Sequence, residues 1–95
     1  MSTVPCHHVY ILQSLSNRSK TYKGYTGKNV LDRLQEHNNG QCAYTSRFMP
    51  WQLKFYCAFE DKYTALEFEK YLKSASGIAF SRKRFLNIPN KEERK

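Results

Sequence analysis

Residues 7–26 read HHVYILQSLSNRSKTYKGYT, and this stretch decides the fold. Residues 7–13 are rich in β-branched and aromatic side chains, which favour a β-strand. Residues 20–26 alternate polar and aromatic side chains and predict a second strand. The polar segment between them is typical of a loop, so the two strands are predicted to form an antiparallel hairpin. Gly24 is costly inside a strand and indicates either a bulge or a place where a ligand approaches the backbone.

Helices and a further strand are predicted after the hairpin. Asn29 and Asp61 are of the residue types that cap helix N-termini, and Gly40 suits a left-handed helix end. The predicted elements are a helix over 30–38 with an apolar stripe of Val30, Leu31 and Leu34, a polar loop over 40–50, a strand over 51–59, a helix over 63–74, a break over 74–77 and a shorter helix over 78–86. The order β-β-α-β-α-(α) predicts an α+β fold, in which helices flank a small three-stranded antiparallel sheet.

The chain has 95 residues, which is room for one domain. We assign 1–86 to that domain and 87–95 to a polar C-terminal tail. A hydrophobic content of 40% excludes wholesale disorder. No apolar run approaches the roughly 20 residues that span a bilayer, and no basic segment followed by an apolar one marks a secretory signal. These observations predict a cytoplasmic protein with no membrane partner.

The net charge of +8, from 16 basic and 8 acidic residues, predicts a polyanionic partner. Nucleic acid and anionic membrane both fit this charge, which also serves solubility alone, so charge by itself does not decide. Cys6, Cys42 and Cys57 are odd in number and form no CxxC pair, which is typical of reduced thiols in a cytosolic protein. A zinc site built on Cys6, His7 or His8 lacks the paired spacing of such sites.

Glu69 contradicts the pattern of its own helix. Ala65, Phe68 and Leu72 predict a core-facing stripe, and Glu69 lies on or beside it. A carboxylate with little access to water needs a cation or several hydrogen bonds. Glu69 is therefore either a ligand for a hard divalent cation or a boundary residue paired with Lys73 one turn later.

Two further pairs of side chains allow a functional and a structural interpretation. Arg33 and His37 are four residues apart, so they project from one helix face. They either hold a phosphate and relay a proton, or form a solvated face on which Glu36 balances Arg33. Tyr10 and Tyr22 lie in adjacent predicted strands, where they either pack as an aromatic pair or provide a phenol that accepts a proton near a cation.

Several stretches of this sequence closely resemble a known family. They are HVYIL at 8–12, YKGYT at 22–26, LDRLQEHN at 31–38, Thr45, Pro50-Trp51 and ALEFEKYLK at 65–73. In this order and spacing they are similar to the GIY-YIG nuclease domain, of the small stand-alone type that resembles the N-terminal nuclease domain of an excinuclease. The resemblance implies the three-stranded sheet with flanking helices.

The resemblance also implies roles for individual residues. Tyr10, Tyr22, Arg33, His37 and Glu69 match the family's catalytic positions, and Glu69 matches its single metal-binding carboxylate. Gly24, Lys23, Thr26, Lys73, Arg82 and Lys83 are expected to contact substrate. His8 stands where the family signature has its first glycine, and Lys23 where it has its second isoleucine. Tyr25 occupies a position where some members carry a lysine, which puts in doubt any mechanism that needs a lysine there.

The implied activity is phosphodiester hydrolysis by a DNA endonuclease that uses one Mg²⁺ or Mn²⁺ ion. Mg²⁺ often takes only one or two protein carboxylates, so a lone Glu69 is chemically sufficient. Arg33 would stabilise the developing charge, and either tyrosine would position or deprotonate the water, with Tyr10 favoured. The alternative is a catalytically weak module that only binds nucleic acid. Branched, nicked or damaged DNA is the expected substrate, with specificity coming from DNA structure or from a protein partner. The sequence leaves the oligomeric state open.

Overall fold

A computed structural model describes residues 4–86, so the predicted tail over 87–95 lies outside the described residues. Within the described part, no helix has the length and apolar character needed to cross a bilayer. The chain runs through two strands, two helices, a third strand and two further helices, and then makes one π-helical turn over Arg82–Leu86. The predicted α+β architecture is confirmed.

Three antiparallel strands form the sheet. Strands β1 (His7–Ser14), β2 (Thr21–Thr26) and β3 (Trp51–Phe59) lie in the order β2-β1-β3. The hairpin register pairs Tyr10 with Gly24 and Leu12 with Tyr22. Pairing between β1 and β2 is continuous, so the bulge interpretation of Gly24 is wrong. β2 therefore forms one edge of the sheet, which matters for the position of the candidate site.

Each face of the sheet packs on its own cluster, because side chains alternate along β1. Val9 and Ile11 are buried against Ala65, Leu72 and Leu86, which belong to the second half of the chain. The other face buries a separate set of residues, namely Tyr10, Leu12, Val30 and Trp51. The fold thus places helices on both faces of the sheet and exposes the edge of β2 between them.

The helices are α1 (Val30–Asn38), α2 (Ala43–Ser46), α3 (Lys62–Leu72) and α4 (Ala75–Ser81). The predicted caps are confirmed: the Asn29 side chain accepts from the backbone N–H of Leu31 at 2.8 Å, and Asp61 accepts from that of Thr64 at 2.8 Å. Leu31 is 61% exposed, so its place in the predicted apolar stripe is wrong.

Two predicted irregular segments are helical. The loop expected over 40–50 contains α2, whose buried Thr45 gives the turn a polar anchor that hydrophobic periodicity does not reveal. The break expected over 74–77 is instead the start of α4, with the Ser74 side chain accepting from the Gly77 N–H. A Cβ on Gly77 would lie 2.0 Å from the carbonyl oxygen of Tyr71, so glycine permits close packing here and does not end a helix.

Candidate active site

Tyr10, Arg33 and His37 meet on the α1 face of the sheet. Tyr10 is 1% exposed on the central strand, and its hydroxyl lies 2.9 Å from His37 Nε2. Arg33 Nε donates to the same hydroxyl at 3.4 Å. Arg33 and His37 reach it together because residues four apart share a helix face. Three of the residues predicted to be catalytic are thus joined at one phenolic oxygen.

Thr45 fixes the direction of the protons in this network. Its hydroxyl is 2.8 Å from His37 Nδ1 and 3.4 Å from the Cys42 carbonyl oxygen. When Thr45 donates to that carbonyl, it accepts from Nδ1–H, and Nε2 then accepts from the Tyr10 hydroxyl. The opposite tautomer would give the Tyr10 oxygen two donors and no acceptor for its own proton. The first arrangement satisfies every proton in the network, so we assign it.

Burial shapes the acid–base properties of the network. It lowers the pKa of His37 to about 4, with a further lowering from the charge of Arg33. Burial also raises the pKa of Tyr10 to about 12, although the hydrogen bond from Arg33 opposes this. Both groups are consequently neutral at pH 7, and Tyr10 can donate to His37 while accepting a proton from another donor.

Arg33 is held by an acidic partner on its own helix. Its Nη1 lies 2.7 Å from Glu36 Oε1, and Glu36 also pairs with Lys28. The hydrogen bond to Glu36 is the main reason that the pKa of Arg33 is raised. The guanidinium is 28% exposed and stays charged, so its remaining N–H groups are available to an anion.

Tyr22 joins the network through its ring. Its ring centroid is 4.9 Å from that of His37 and 6.2 Å from that of Tyr10, which gives the expected cross-strand aromatic pair. Gly24 makes this packing possible. A Cβ at Gly24 would lie 2.6 Å from the Tyr10 hydroxyl oxygen and 2.8 Å from Cε2 of Tyr22. The space beside this glycine is therefore filled by the two tyrosines of the site.

Glu69 lies apart from the other four residues. It belongs to α3, which packs on the Val9–Ile11 face, whereas Tyr10 faces α1. Among the described contacts its only ion pair is with Lys73 at 3.1 Å, so the expected helical pairing is present. The two sides approach each other at the edge of β2, where Tyr22 and Lys73 line one cleft of about 280 Å³.

The residues expected to contact substrate occupy different positions. Lys23 and Lys73 line the cleft at the edge of β2. Arg82 is close enough to Lys23 to lower its pKa, after the larger effect of burial. Lys83 is exposed in the π-helical turn. Thr26 is 5% exposed and accepts from the Lys28 backbone N–H at 3.0 Å, a contact that stabilises the turn after β2.

The donors around Glu69 limit how a metal ion would be held. No group of three or more His, Cys, Asp or Glu side chains within 4–86 is arranged to hold a metal ion. Glu69 supplies one carboxylate, 20% exposed, and Lys73 competes for it. A single carboxylate fits Mg²⁺, which keeps several waters and completes its shell with substrate phosphate.

Sequence reasoning missed the residues that position the network. Thr45 follows His37 by eight residues across a turn, a spacing with no helical or strand periodicity, so only its place in the family resemblance marked it. Glu36 was assigned only as a balancing charge, although its spacing from Arg33 already permitted an ion pair on one helix face. Tyr44, which lines the cleft beside Tyr22, carried no signal at all.

Comparison with models of protein families matches residues 6–82 to the GIY-YIG catalytic domain. The match covers both faces of the sheet and every predicted catalytic residue, from Tyr10 to Glu69. No curated protein matches the chain. The three cysteines are free thiols, as predicted.

Proposed function

Because this chain belongs to the GIY-YIG catalytic domain family, a family of nucleases, we propose that it is a divalent-metal-dependent DNA endonuclease acting on structured or damaged DNA. The observation that carries the proposal is the buried Tyr10 hydroxyl, which is shared by His37 and Arg33. A role in DNA repair, a cytoplasmic location and a protein partner that supplies specificity belong to the same proposal.

The hydrogen-bond directions define a route for the proton of the attacking water. The Tyr10 oxygen accepts that proton while its own hydroxyl proton passes to His37 Nε2. The product is a neutral phenol and an imidazolium, with Nδ1–H still donating to Thr45. A phosphate bound at Arg33 makes this transfer easier, because its negative charge offsets the cation that lowers the pKa of His37.

Arg33 would stabilise charge on the phosphate. Its guanidinium is oriented by Glu36 on one side and by the Tyr10 hydroxyl on the other. Pre-oriented N–H donors of this kind stabilise the extra charge of a phosphoryl transition state without reorganising. Tyr22, packed on the imidazole, would hold His37 in place and shield it from water.

Glu69 would hold one Mg²⁺ or Mn²⁺ ion, taking the place of its contact with Lys73. Such an ion supplies charge neutralisation at the phosphate and at the leaving oxygen. Lys73, once released from Glu69, remains at the cleft as a further contact for the DNA backbone.

The proposal is tested by incubating the protein with single-stranded, duplex, nicked, flapped and branched DNA in the presence of Mg²⁺ or Mn²⁺. We expect divalent-dependent cleavage that falls at least about 100-fold in Glu69→Ala. Glu67→Ala, which alters an exposed carboxylate on the same helix, is the matched control and should cleave normally. Salt-sensitive binding of DNA with no cleavage of any substrate would instead identify a binding module.

A further inference from the structure

A cleft at the edge of β2 lies next to the phenol–imidazole network without being part of it. Its lining comes from four elements of the fold and consists of Thr21, Tyr22, Lys23, Tyr44, Lys73 and Ile78. Tyr22 is the residue that the cleft and the network share. Whatever occupies the cleft therefore lies one side chain away from His37.

Tyr44 is an exposed aromatic ring in a fixed position. It is 48% exposed, yet its ring packs at 6.2 Å from that of Tyr22 and 6.0 Å from that of Phe48. Its helix α2 is anchored by the next residue, Thr45, through the hydrogen bond to His37. A rigid, half-exposed ring in a cleft offers a flat surface on which a second ring system can stack.

The walls of the cleft carry uncompensated positive charge. Lys23 has no carboxylate partner among the described contacts, and its ammonium contacts only the Thr21 hydroxyl at 3.5 Å. Lys73 has one partner, Glu69. Arg82 and Lys73 both repel Lys23, which adds to the lowering of its pKa by burial. An anionic group in the cleft would relieve this repulsion.

The cleft suits a single nucleotide better than a duplex. Its volume of about 280 Å³ is close to the lower limit of small-molecule sites, which begin at about 300 Å³. An aromatic surface beside a positively charged groove is the combination by which proteins bind single-stranded nucleic acid. In a duplex the bases are already stacked on one another, so their faces are not accessible to Tyr44.

We propose that this cleft binds one unpaired nucleotide of a DNA strand, with its base stacked on Tyr44 and its phosphates held by Lys23 and Lys73. The inference rests on the proposed nuclease function, because it places that nucleotide beside the phosphate to be cleaved. It narrows the substrate to DNA with an unpaired base next to the cleavage position, as in a single strand or a flap.

The test measures binding separately from cleavage. Fluorescence anisotropy in EDTA gives the affinities of the wild type, Tyr44→Leu and Tyr44→Phe for a labelled single-stranded DNA and for the same sequence as a blunt duplex. Tyr44→Leu should weaken single-strand binding about 5- to 100-fold, the effect of losing one stacked base. Tyr44→Phe keeps the ring and should bind within about twofold of the wild type.

Tyr63→Leu is the matched control. Tyr63 is 71% exposed in the first turn of α3, roughly 15 Å along the helix axis from Lys73. It does not line the cleft, so this variant should bind single strands like the wild type. Thermal unfolding of each variant establishes that the fold is intact.

Equal weakening of single-strand and duplex binding by Tyr44→Leu would overturn the inference, as would unchanged binding of both. Cleavage assays on the same DNAs keep the two proposals distinguishable. If Tyr44→Leu selectively loses single-strand binding but no variant or wild type cleaves DNA, the nucleotide cleft stands and the nuclease proposal fails. If the wild type cleaves DNA and Tyr44→Leu binds normally, the nuclease proposal stands and the cleft assignment fails.

Discussion

At the scale of single residues, Thr45 controls the imidazole on which the proposed proton route depends. Its hydroxyl is fully buried and is the only partner of His37 Nδ1 among the described hydrogen bonds. A hydroxyl that can both accept and donate sets one tautomer, whereas a methyl group in its place sets none. Thr45 is accordingly a positioning residue that acts through His37.

Thr45→Val should slow single-turnover cleavage about tenfold or more, because the tautomer that accepts the Tyr10 proton is no longer favoured. The buried Nδ1–H also loses its acceptor, which should lower the free energy of unfolding by about 1–3 kcal/mol. Thr45→Ser retains the hydroxyl and should restore the rate. A purely structural role for Thr45 would leave the pH dependence of cleavage unchanged in Thr45→Val, whereas a positioning role shifts it.

The lowered pKa of His37 predicts how stability depends on pH. The native imidazole has a pKa of about 4, against about 6.5 in the unfolded chain. Between these values the unfolded state binds more protons, so the free energy of unfolding rises with pH. The stabilisation is fully present above about pH 6.5 and is lost as the pH falls toward 4, by up to about 3 kcal/mol.

Urea unfolding of the wild type and His37→Gln between pH 4.5 and pH 7 measures this effect. The difference between the two proteins should shrink as the pH falls. The carboxyls of Glu36 and Asp61 have lowered pKa values and titrate below this window, so they do not obscure it. A difference that is constant across the window would contradict the assignment of a neutral, buried imidazole.

At the scale of elements, the β1–β2 hairpin positions both tyrosines by leaving out one side chain. Gly24 lies opposite Tyr10 in the register, and the phenol ring occupies the volume of the missing Cβ. Gly24→Ala should displace Tyr10 and Tyr22, lowering the free energy of unfolding by about 1–3 kcal/mol and reducing cleavage. Gly27→Ala is the control, because its added Cβ would lie 3.6 Å from the nearest atom, the Tyr25 hydroxyl.

Unfolding by urea and single-turnover cleavage on these two variants check the hairpin prediction. A cleavage rate for Gly24→Ala equal to that of the wild type would show that the position of the Tyr10 hydroxyl does not matter to the reaction.

Elements with a regular pattern could be predicted from the sequence, and elements anchored by single polar contacts could not. The helix over Val30–Asn38 and the strand over Trp51–Phe59 have the predicted bounds, since periodicity and caps agree there. α2 has four residues and is held by Thr45 and by the indole N–H of Trp51, which donates to the Thr45 carbonyl oxygen at 2.7 Å. Such contacts depend on the tertiary structure and leave no periodic trace in the sequence.

The candidate site follows the same division. The helical spacing of Arg33 and His37 and the pairing of Tyr10 with Tyr22 could be predicted, because both are local or belong to one hairpin. The position of Glu69 on the other face could not, since it depends on how α3 packs over β1 and β2.

At the scale of the whole molecule, the net charge of +8 predicts that DNA binding is salt-dependent. Lys23 lines the cleft, so Lys23→Gln should remove one phosphate contact and reduce the magnitude of the salt slope for single-stranded DNA by about 0.7. Lys62→Gln, in the first turn of α3, is the control and should leave the slope unchanged. Anisotropy titrations over a range of salt concentrations measure it, and an unaltered slope in Lys23→Gln would remove this residue from the DNA-binding surface.

The whole account requires residues on opposite faces of the sheet to act on one phosphate. Arg33 belongs to the α1 face and Glu69 to α3, and the edge of β2 is where the DNA would bridge them. A double-mutant cycle tests whether they act in one step, because residues that work as a unit give losses that are not additive.

The most direct measurement is single-turnover cleavage of a flapped DNA with Mg²⁺ by the wild type, Arg33→Ala, Glu69→Gln and the double variant. We predict that each single variant is at least about 100-fold slower than the wild type and that the double variant is far faster than the product of the two losses would give. Cleavage by either single variant at the wild-type rate, or losses that simply multiply, would contradict a shared active site.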